Sequence, residues 1–234
     1  MGVTVLIPYY SQYEPGAHSE PSNRPGYLER TVDSVAPLAD RVIVAVVAGE
    51  QALPSVHAAT LELHCAPRFL PVSLLRWAQA NLGPGPDRVF FTEADQVLHY
   101  DPAVLAAVQG GDYLVPHRLE ELGQLGEGAD RGPVVEHAGK QWVLPNGTPE
   151  GDGFYHPQDP GFEMNRFLQY GAAFLAGRDL LAEAAFTDSD DRPLEHGGGF
   201  CMSAAGNALK TSDWERFWVE HLSGHEHNER LGGR

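Results

Sequence analysis

Arg88-Val-Phe-Phe-Thr-Glu-Ala-Asp-Gln-Val-Leu-His-Tyr100 begins with a short apolar run and passes directly into two acids, Glu93 and Asp95. The run from Val89 to Phe91 is aromatic and β-branched, which is typical of a strand that is covered on both faces in a parallel sheet. In open α/β sheets, ligands bind in the crevice at the carboxyl ends of the strands. The sequence therefore predicts that both acids face a ligand-binding crevice.

The spacing of the two acids favours a metal ion between them. Carboxylates this close repel each other unless positive charge lies nearby. Mg²⁺ and Mn²⁺ prefer oxygen ligands and usually keep waters or phosphate oxygens as well. Acid pairs at strand ends are also common as solvated surface groups. The pair by itself leaves a metal site and a solvated edge as equal alternatives.

Alternating strand and helix patterns surround this segment. Residues 3–7 form a β-branched run, residues 27–35 have apolar side chains at helical spacing, and residues 41–47 form a second apolar run. Strand, helix and strand in this order are typical of a βαβ unit and a parallel sheet. The further elements expected up to residue 116 are a helix at 53–59, a strand at 61–65, a helix at 72–81, a helix from Pro102 to about Val108 after an Asp101 N-cap, and a strand at 112–116.

The second half of the chain is less regular. Residues 117–161 are rich in glycine, proline and acids but keep isolated aromatics, which favours a substrate loop that is mobile without ligand, with 134–135 and 141–144 able to pair as an edge hairpin. Beyond it we expect a strand at 172–176, a helix at 178–186 and a helix at 200–209. A capping box at Ser212–Glu215 predicts a last helix to about Leu222.

These patterns predict one α/β domain over residues 1–234. Its central sheet is mostly parallel and Rossmann-like, with helices on both faces. The strands near Val3, Val42, Val89 and Ala172 are expected to be central.

Composition limits the partners. The net charge of -16 argues against nucleic acid or an anionic membrane as the main partner. No apolar run approaches the length of a membrane span, and the N-terminus has no signal-like start. Cys65 and Cys201 are too few for a disulfide framework. We therefore expect a cytoplasmic protein without a membrane span.

The order of these motifs resembles that of the GT-A fold glycosyltransferases, with the nearest likeness to glycosyltransferase family 2. The likeness rests on Ile7-Pro8-Tyr9-Tyr10 after the first strand, on the helical segment 27–35 and on Glu93-Ala94-Asp95, which occupies the Asp-x-Asp motif. The segment from Tyr170 to Leu181 is similar to the glycine and small-residue segment that these enzymes place beside the donor sugar. The first acid departs from the motif, because it is Glu instead of Asp.

The resemblance implies transfer of a sugar from a nucleotide-diphosphate sugar, UDP- or GDP-linked, to a carbohydrate or glycoconjugate acceptor. Residues 1–110 would form the nucleotide-binding half and residues 111–234 the acceptor-binding half. The donor-binding residues that it implies are Pro8, Tyr10, Glu50, Arg76, Ala94, Gly171 and Ala172. Glu50 is the only acid after the second strand, where many family members hold the nucleobase. For Arg76 and one of the two tyrosines, a surface or core role is the simpler alternative.

The resemblance also implies Mn²⁺ or Mg²⁺ on the donor diphosphate. Asp95 is the first choice as ligand and Glu93 the second. A histidine near the C-terminus closes the site in many GT-A enzymes, and His221 and His225 are the candidates here. Interaction of either histidine with a helix C-terminus is an equal alternative.

An inverting enzyme needs a carboxylate to take the proton from the acceptor hydroxyl. Glu195 is the preferred base, because it adjoins the flexible run Gly197–Gly199, and Asp191 is the second candidate. For most acids of this run, a solvated surface position is the simpler interpretation. A retaining enzyme needs no such base, and the sequence leaves the stereochemistry open.

Two other functions share this fold pattern. A sugar-1-phosphate nucleotidyltransferase uses a similar sheet and metal, but it normally has a basic, glycine-rich loop after the first strand, and residues 9–20 contain no lysine or arginine. An inactive GT-A-like protein that binds carbohydrate is the non-enzymatic alternative, and the altered metal motif keeps it open.

Overall fold

A computed structural model describes residues 2–10, 22–49, 56–122, 134–143, 166–170, 173–187, 199–203, 207–208 and 214–223. In chain order the strands are β1 (Val3–Pro8), β2 (Arg41–Val47), β3 (Ala59–Leu63), β4 (Arg88–Phe91), β5 (Gln96–Tyr100), β6 (Asp112–Leu114), β7 (His117–Glu121), β8 (Val134–His137), β9 (Lys140–Val143), β10 (Arg166–Tyr170), β11 (Phe174–Gly177), β12 (Ala185–Thr187), β13 (Gly199–Ser203), β14 (Asn207–Ala208) and β15 (Phe217–His221). The helices are α1 (Arg24–Val35), α2 (Leu70–Leu82), α3 (Pro102–Ala107) and α4 (Arg178–Glu183), with short 3-10 helices at Pro67–Phe69 and Trp214–Arg216. None of these helices is long and apolar enough to cross a membrane in the part of the chain that the structure describes.

The central sheet has seven strands in the order β14-β6-β11-β4-β1-β2-β3. Strands β3, β2, β1 and β4 are parallel neighbours, and β14 is parallel to β6. Among these seven strands, β11 alone runs against its two neighbours, β4 and β6. The expected mostly parallel sheet is confirmed, and the expected strands near residues 3, 42, 89 and 172 all lie inside it.

Helices cover both faces of this sheet. On one face, α2 and α4 bury side chains such as Leu74 and Leu181 against Phe91. On the other face, α1 and α3 bury side chains such as Leu28 and Leu105. Because both faces are covered, the strands can be apolar throughout, as β4 is, and the expected α/β fold class is confirmed.

A second sheet of five strands, in the order β5-β15-β7-β9-β8, adjoins the carboxyl end of β4. Strand β15 is antiparallel to β5 and parallel to β7. Phe217 and Val219 of β15 belong to the core on the α1 face, whereas Trp218 packs with Leu119 and Trp142 on the other face. A third sheet has the order β10-β13-β12.

The helix expected from Ser212 to Leu222 is wrong for the described residues, 214–222. A 3-10 turn at Trp214–Arg216 leads instead into strand β15. The burial of β15 has the two-residue period of a strand, because alternate side chains enter different apolar clusters. Pairing on both edges, with β5 and β7, explains why a local capping signal does not decide this segment.

Other boundaries also differ from the expectations. The helix expected at 200–209 is wrong at its described positions, which form β13 and β14 and pair with distant strands. Residues 56–59 of the helix expected at 53–59 are not helical, and β3 begins at Ala59. Helix α4 ends at Glu183 and is followed by β12. The sequence patterns do not predict strand β5, which directly follows the two acids.

The segment 117–161 is not a loop at its start. Its first five residues form β7, in which His117 and Leu119 are fully buried. The expected hairpin is confirmed as β8–β9, at the edge of the five-stranded sheet. The expectation of a mobile substrate loop otherwise falls on residues 123–133 and 144–161, which lie outside the described residues.

Candidate functional site

The turn between β4 and β5 carries Glu93 and Asp95. The buried Gln96 holds this turn, because its Oε1 accepts hydrogen bonds from Thr92 Oγ1 at 2.9 Å and from the Glu93 amide at 3.3 Å. The carbonyl of Asp95 accepts a hydrogen bond of 2.8 Å from the amide of Leu222. The end of β15 is therefore tied to the backbone of the turn that carries both acids.

His221, the last residue of β15, lies between two carboxylates. Its Nε2 is 3.3 Å from Asp95 Oδ2, and its Nδ1 is 2.9 Å from Glu120 Oε1. The side chain is 1% exposed, so these carboxylates replace the water that would otherwise solvate the ring. The structure thus brings together two predicted ligands, Asp95 and His221, and adds Glu120 from β7.

The protonation of Glu120 determines which nitrogen of His221 carries a proton. Burial raises the pKa of Glu120, but the hydrogen bond from His221 and the positive charge of Arg118 outweigh it and lower the pKa to about 2. An ionised carboxylate can only accept hydrogen bonds. Nδ1 of His221 is therefore the donor to Glu120, which leaves Nε2 to face Asp95.

The charges of Asp95 and His221 stabilise each other. Burial favours the neutral form of Asp95, yet His221, Ser223 and Arg118 together hold its pKa well below the ordinary value. Burial and Arg118 lower the pKa of His221, but Asp95 and Glu120 outweigh them and raise it.

Glu93 is in a different state from Asp95. Burial first, and the charge of Asp95 second, raise the pKa of Glu93 to about 7, although Arg118 and His221 act in the opposite direction. One acid of the pair thus stays ionised while the other holds a proton near neutral pH, as expected for two close carboxylates with too little positive charge between them.

Ser223 completes the cluster. Its hydroxyl donates a hydrogen bond to Asp95 Oδ2 and lies 3.2 Å from His221 Nε2. Serine, histidine and Glu120 have the order of a nucleophile, a base and an orienting acid. However, Ser223 is fully buried and its proton points to Asp95, so it serves to position that carboxylate.

Asp95 and His221 are the residues that would hold a divalent ion at this edge. Asp95 Oδ2 and His221 Nε2 are 3.3 Å apart, so the two atoms would be able to contact one ion together. Within the described ranges, no group of three or more His, Cys, Asp or Glu side chains is arranged to hold a metal ion. An ion at this pair would therefore need waters or phosphate oxygens as further ligands, as Mg²⁺ usually does.

Within the described residues, the hydrogen bonds and ion pairs of Asp95 and His221 involve none of the other predicted residues, some of which lie outside that part of the chain. Pro8 ends β1 and is buried, and Tyr10 packs on the α2 face while Tyr9 is buried on the opposite face. Ala94 packs against the core on the α1 face.

Arg76 is exposed on α2 and lines a cavity of about 250 Å³ with Cys65 and Ser73. The predicted residues outside the described ranges are Glu50, Gly171, Ala172, Asp191, Glu195 and His225.

Sequence reasoning missed Arg118, Glu120 and Ser223. Arg118 and Glu120 alternate with apolar Leu119 on β7, and Ser223 stands two residues after His221. Period two is the pattern of a strand, in which alternate side chains share a face. Reading 117–121 and 217–223 as extended would have placed Arg118 and Glu120 on one face of their strand, and His221 and Ser223 on one face of theirs.

The solved structures that resemble this chain in part include the following two. The 2-C-methyl-D-erythritol 4-phosphate cytidylyltransferase from Thermus thermophilus is 22% identical, over 62% of this chain and 71% of that chain, with a TM-score of 0.33. A 4-diphosphocytidyl-2C-methyl-D-erythritol synthase is 14% identical, over 77% of each chain, with a TM-score of 0.34. No protein-family model and no curated protein matches the chain. At these TM-scores the likeness carries no argument about function, which therefore has to be argued from the site.

Proposed function

We propose that the protein is a metal-dependent glycosyltransferase that moves a sugar from a nucleotide-diphosphate sugar to an acceptor hydroxyl. The observation that carries the proposal is the pairing of Asp95 with His221 at 3.3 Å, beside the carboxyl end of the central strand β4. Open α/β sheets bind ligands at this edge, and the pair offers one oxygen and one nitrogen to an ion whose other ligands are phosphate oxygens.

In this proposal Asp95 and His221 would hold Mn²⁺ or Mg²⁺ directly, and Glu93 would contact the ion through water. A bound ion supplies stabilisation of the negative charge that develops on the diphosphate leaving group. Ser223 holds the Asp95 carboxylate by donating to Oδ2, and Glu120 keeps the His221 proton on Nδ1. Both interactions prepare the ligand atoms before the substrate arrives.

The surrounding roles follow from the same proposal. The nucleoside would lie near Pro8, Tyr10 and Glu50, with Arg76 toward the diphosphate. The donor sugar would lie near Ala94, Gly171 and Ala172. Glu195, with Asp191 as the alternative, would take the proton from a carbohydrate or glycoconjugate acceptor if the product is inverted.

A sugar-1-phosphate nucleotidyltransferase is the second candidate. The metal pair serves it equally, because negative charge then develops on a pyrophosphate leaving group at the same edge. The absence of lysine and arginine from residues 9–20 favours glycosyl transfer, since a triphosphate needs positive charge around it.

Product analysis separates these candidates. The wild-type protein is incubated with Mn²⁺ and a panel of UDP- and GDP-sugars, and separately with nucleoside triphosphates and sugar 1-phosphates. We expect release of the nucleoside diphosphate in the first set, its loss in EDTA and in Asp95→Asn, and its retention in Asp33→Asn, a matched change at an exposed acid of α1. Pyrophosphate in the second set alone would instead support nucleotidyl transfer. Binding without turnover in both sets would support a carbohydrate-binding protein.

A further inference from the structure

We propose that Glu120 is the positioning residue of His221, holding the ring so that Nε2 points to Asp95 and to the metal, against an opposing pull from Arg118. The inference rests on the metal centre of the proposed function and adds to it a residue on a neighbouring strand. Glu120 touches neither the metal nor the substrate in this account; it acts through the histidine.

The strand pairing puts Glu120 beside His221. Strand β7 is parallel to β15, with Leu119 opposite Glu220, so the next residue along each strand is Glu120 and His221. Leu119 points into the cluster with Trp142 and Trp218. Arg118 and Glu120 therefore point to the other side, where the His221 ring lies.

Burial and two hydrogen bonds hold the Glu120 side chain in this position. Its residue is 7% exposed, and acids are almost never so buried unless they are paired. Its Oε1 is 2.9 Å from Arg118 Nη2 and 2.9 Å from His221 Nδ1. One oxygen thus accepts from both neighbours, and its negative charge offsets the repulsion between the Arg118 guanidinium and a protonated His221 ring, whose Nη2 and Nδ1 atoms lie 2.5 Å apart.

Arg118 is a competing hydrogen-bond donor to His221 Nδ1, and Glu120 opposes it. Its Nη2 lies 2.5 Å from His221 Nδ1 and 3.2 Å from Nε2, and a guanidinium can only donate hydrogen bonds. Without Glu120, the favourable arrangement is for Nδ1 to accept from Arg118. A neutral ring then carries its proton on Nε2, which is the nitrogen that the metal needs. Loss of Glu120 therefore moves the ring proton of His221 from Nδ1 to Nε2, in addition to removing the hydrogen bond at Nδ1.

Glu121 provides a matched control. It is the next residue of β7, it points to the other side, and its Oε2 pairs with Lys140 Nζ at 2.8 Å. Glu121→Ala removes the same charge and an ion pair from the same strand, but it leaves the His221 ring untouched.

The test measures metal affinity and the position of the ring proton, both without turnover. Mn²⁺ binding, alone and with uridine diphosphate, is followed by electron paramagnetic resonance for wild type, Glu120→Ala, Glu120→Gln and Glu121→Ala. Removal of such a supporting group typically weakens metal binding about 10–100-fold, which we expect for Glu120→Ala. Glu120→Gln should lose less, because its amide oxygen still accepts from Nδ1, and Glu121→Ala should bind as wild type does.

Nitrogen-15 shifts of the His221 ring in the metal-free proteins give the second measurement. Nδ1 should carry a proton in wild type and Glu121→Ala and lose it in Glu120→Ala. Adding Arg118→Ala to Glu120→Ala should restore part of the Mn²⁺ affinity, because the competing donor is gone.

The outcomes separate this inference from the proposed function. Equal Mn²⁺ affinity in Glu120→Ala and Glu121→Ala, with Nδ1 protonated in both, overturns the role of Glu120 alone. If Glu120→Ala does not fold, Glu120→Met, which keeps the length of the side chain but removes the carboxylate, takes its place, and wild-type Mn²⁺ affinity in that variant overturns the role too. A wild-type protein that binds no Mn²⁺, with or without the nucleotide, overturns the metal-dependent function and this inference together.

Discussion

Carboxylates outnumber cations at the end of β4. Glu93, Asp95 and Glu120 converge there on Arg118 and His221, and the two cations act on all three acids. Burying charge is costly unless it is paired, and the proton on Glu93 reflects that imbalance. In the proposed function, a divalent cation at Asp95 would offset this imbalance and favour the ionised form of Glu93.

The first prediction at the residue scale concerns Asp95. Asp95→Ala should abolish Mn²⁺-dependent binding of uridine or guanosine diphosphate, because it removes the carboxylate oxygen that lies 3.3 Å from His221 Nε2. Folding should survive, since the change also removes the repulsion between Asp95 and Glu93. Isothermal titration calorimetry measures the binding and circular dichroism the fold. Unchanged Mn²⁺-dependent affinity would remove Asp95 from the site.

The second prediction concerns the loss of folding stability as the pH is lowered. The amide of Ala103 and then the Arg216 guanidinium hold the pKa of Asp101 below its ordinary value of 3.8. A carboxyl with a lowered folded pKa adds stability that is present above the ordinary pKa and is lost as pH falls through the folded one. Asp101→Asn can still cap α3 but cannot pair with Arg216 as an ion.

We therefore expect Asp101→Asn to be less stable than wild type at neutral pH and to lose less stability when the pH is lowered below about 4. Urea unfolding at a series of pH values measures this, with Asp33→Asn as the matched change on α1. Parallel pH curves for Asp101→Asn and wild type would contradict the assignment.

At the scale of elements, β15 assembles the site. It lies between β5, which follows the two acids, and β7, which carries Arg118 and Glu120. Its end brings His221 and Ser223 to Asp95, while its Phe217 packs edge-on against Phe90 at 6.2 Å between ring centroids. The core and the site thus share one strand, with Phe217 at its start and His221 at its end.

The prediction for this element is that Phe217→Ala destabilises the protein by about 3–5 kcal/mol, the usual cost of removing a buried aromatic side chain. The cost arises from lost apolar burial and from the cavity beside Phe90. Urea unfolding measures it, with Val134→Ala on the exposed edge strand β8 as the control, since that side chain is 49% exposed. A change within about 0.5 kcal/mol, as expected at the surface, would show that β15 is not anchored by Phe217.

Sequence reasoning succeeds and fails at this scale for identifiable reasons. The elements β1, α1, β2, α2 and β4 follow from local patterns, because apolar runs and helical spacing agree with the final burial. Strand β15 does not, because its state depends on pairing with β5 and β7, which are distant in sequence from it. The sequence therefore places the predicted ligand His221 wrongly, at the end of a helix instead of the end of a strand.

For the molecule as a whole, the site could be predicted only as far as the central sheet places it. Parallel strands bring Pro8 and the two acids to one edge, and that much follows from strand order. The network of Arg118, Glu120 and Ser223 could not be predicted, because it forms only when the five-stranded sheet folds beside β4. The net charge of -16 adds a constraint at this scale, since an anionic nucleotide can approach only where local cations offset it.

The last prediction concerns the thermal stability of the whole molecule, which rises when a ligand binds the folded state. A ligand that binds only the folded state stabilises it by RT ln(1 + [L]/Kd), about 2.7 kcal/mol at 100 times Kd. For a chain of this size, each kcal/mol raises Tm by about 2–4 °C, so saturating Mn²⁺ with uridine or guanosine diphosphate should raise it by about 5–10 °C. The shift should disappear in EDTA and in Asp95→Ala, but persist in Phe217→Ala on a lower baseline, provided that variant still folds. Differential scanning calorimetry at several nucleotide concentrations tests this. A nucleotide shift that is equally large in EDTA would mean that the diphosphate binds without a metal, and the pairing of Asp95 with His221 would then have to be explained as a structural ion pair.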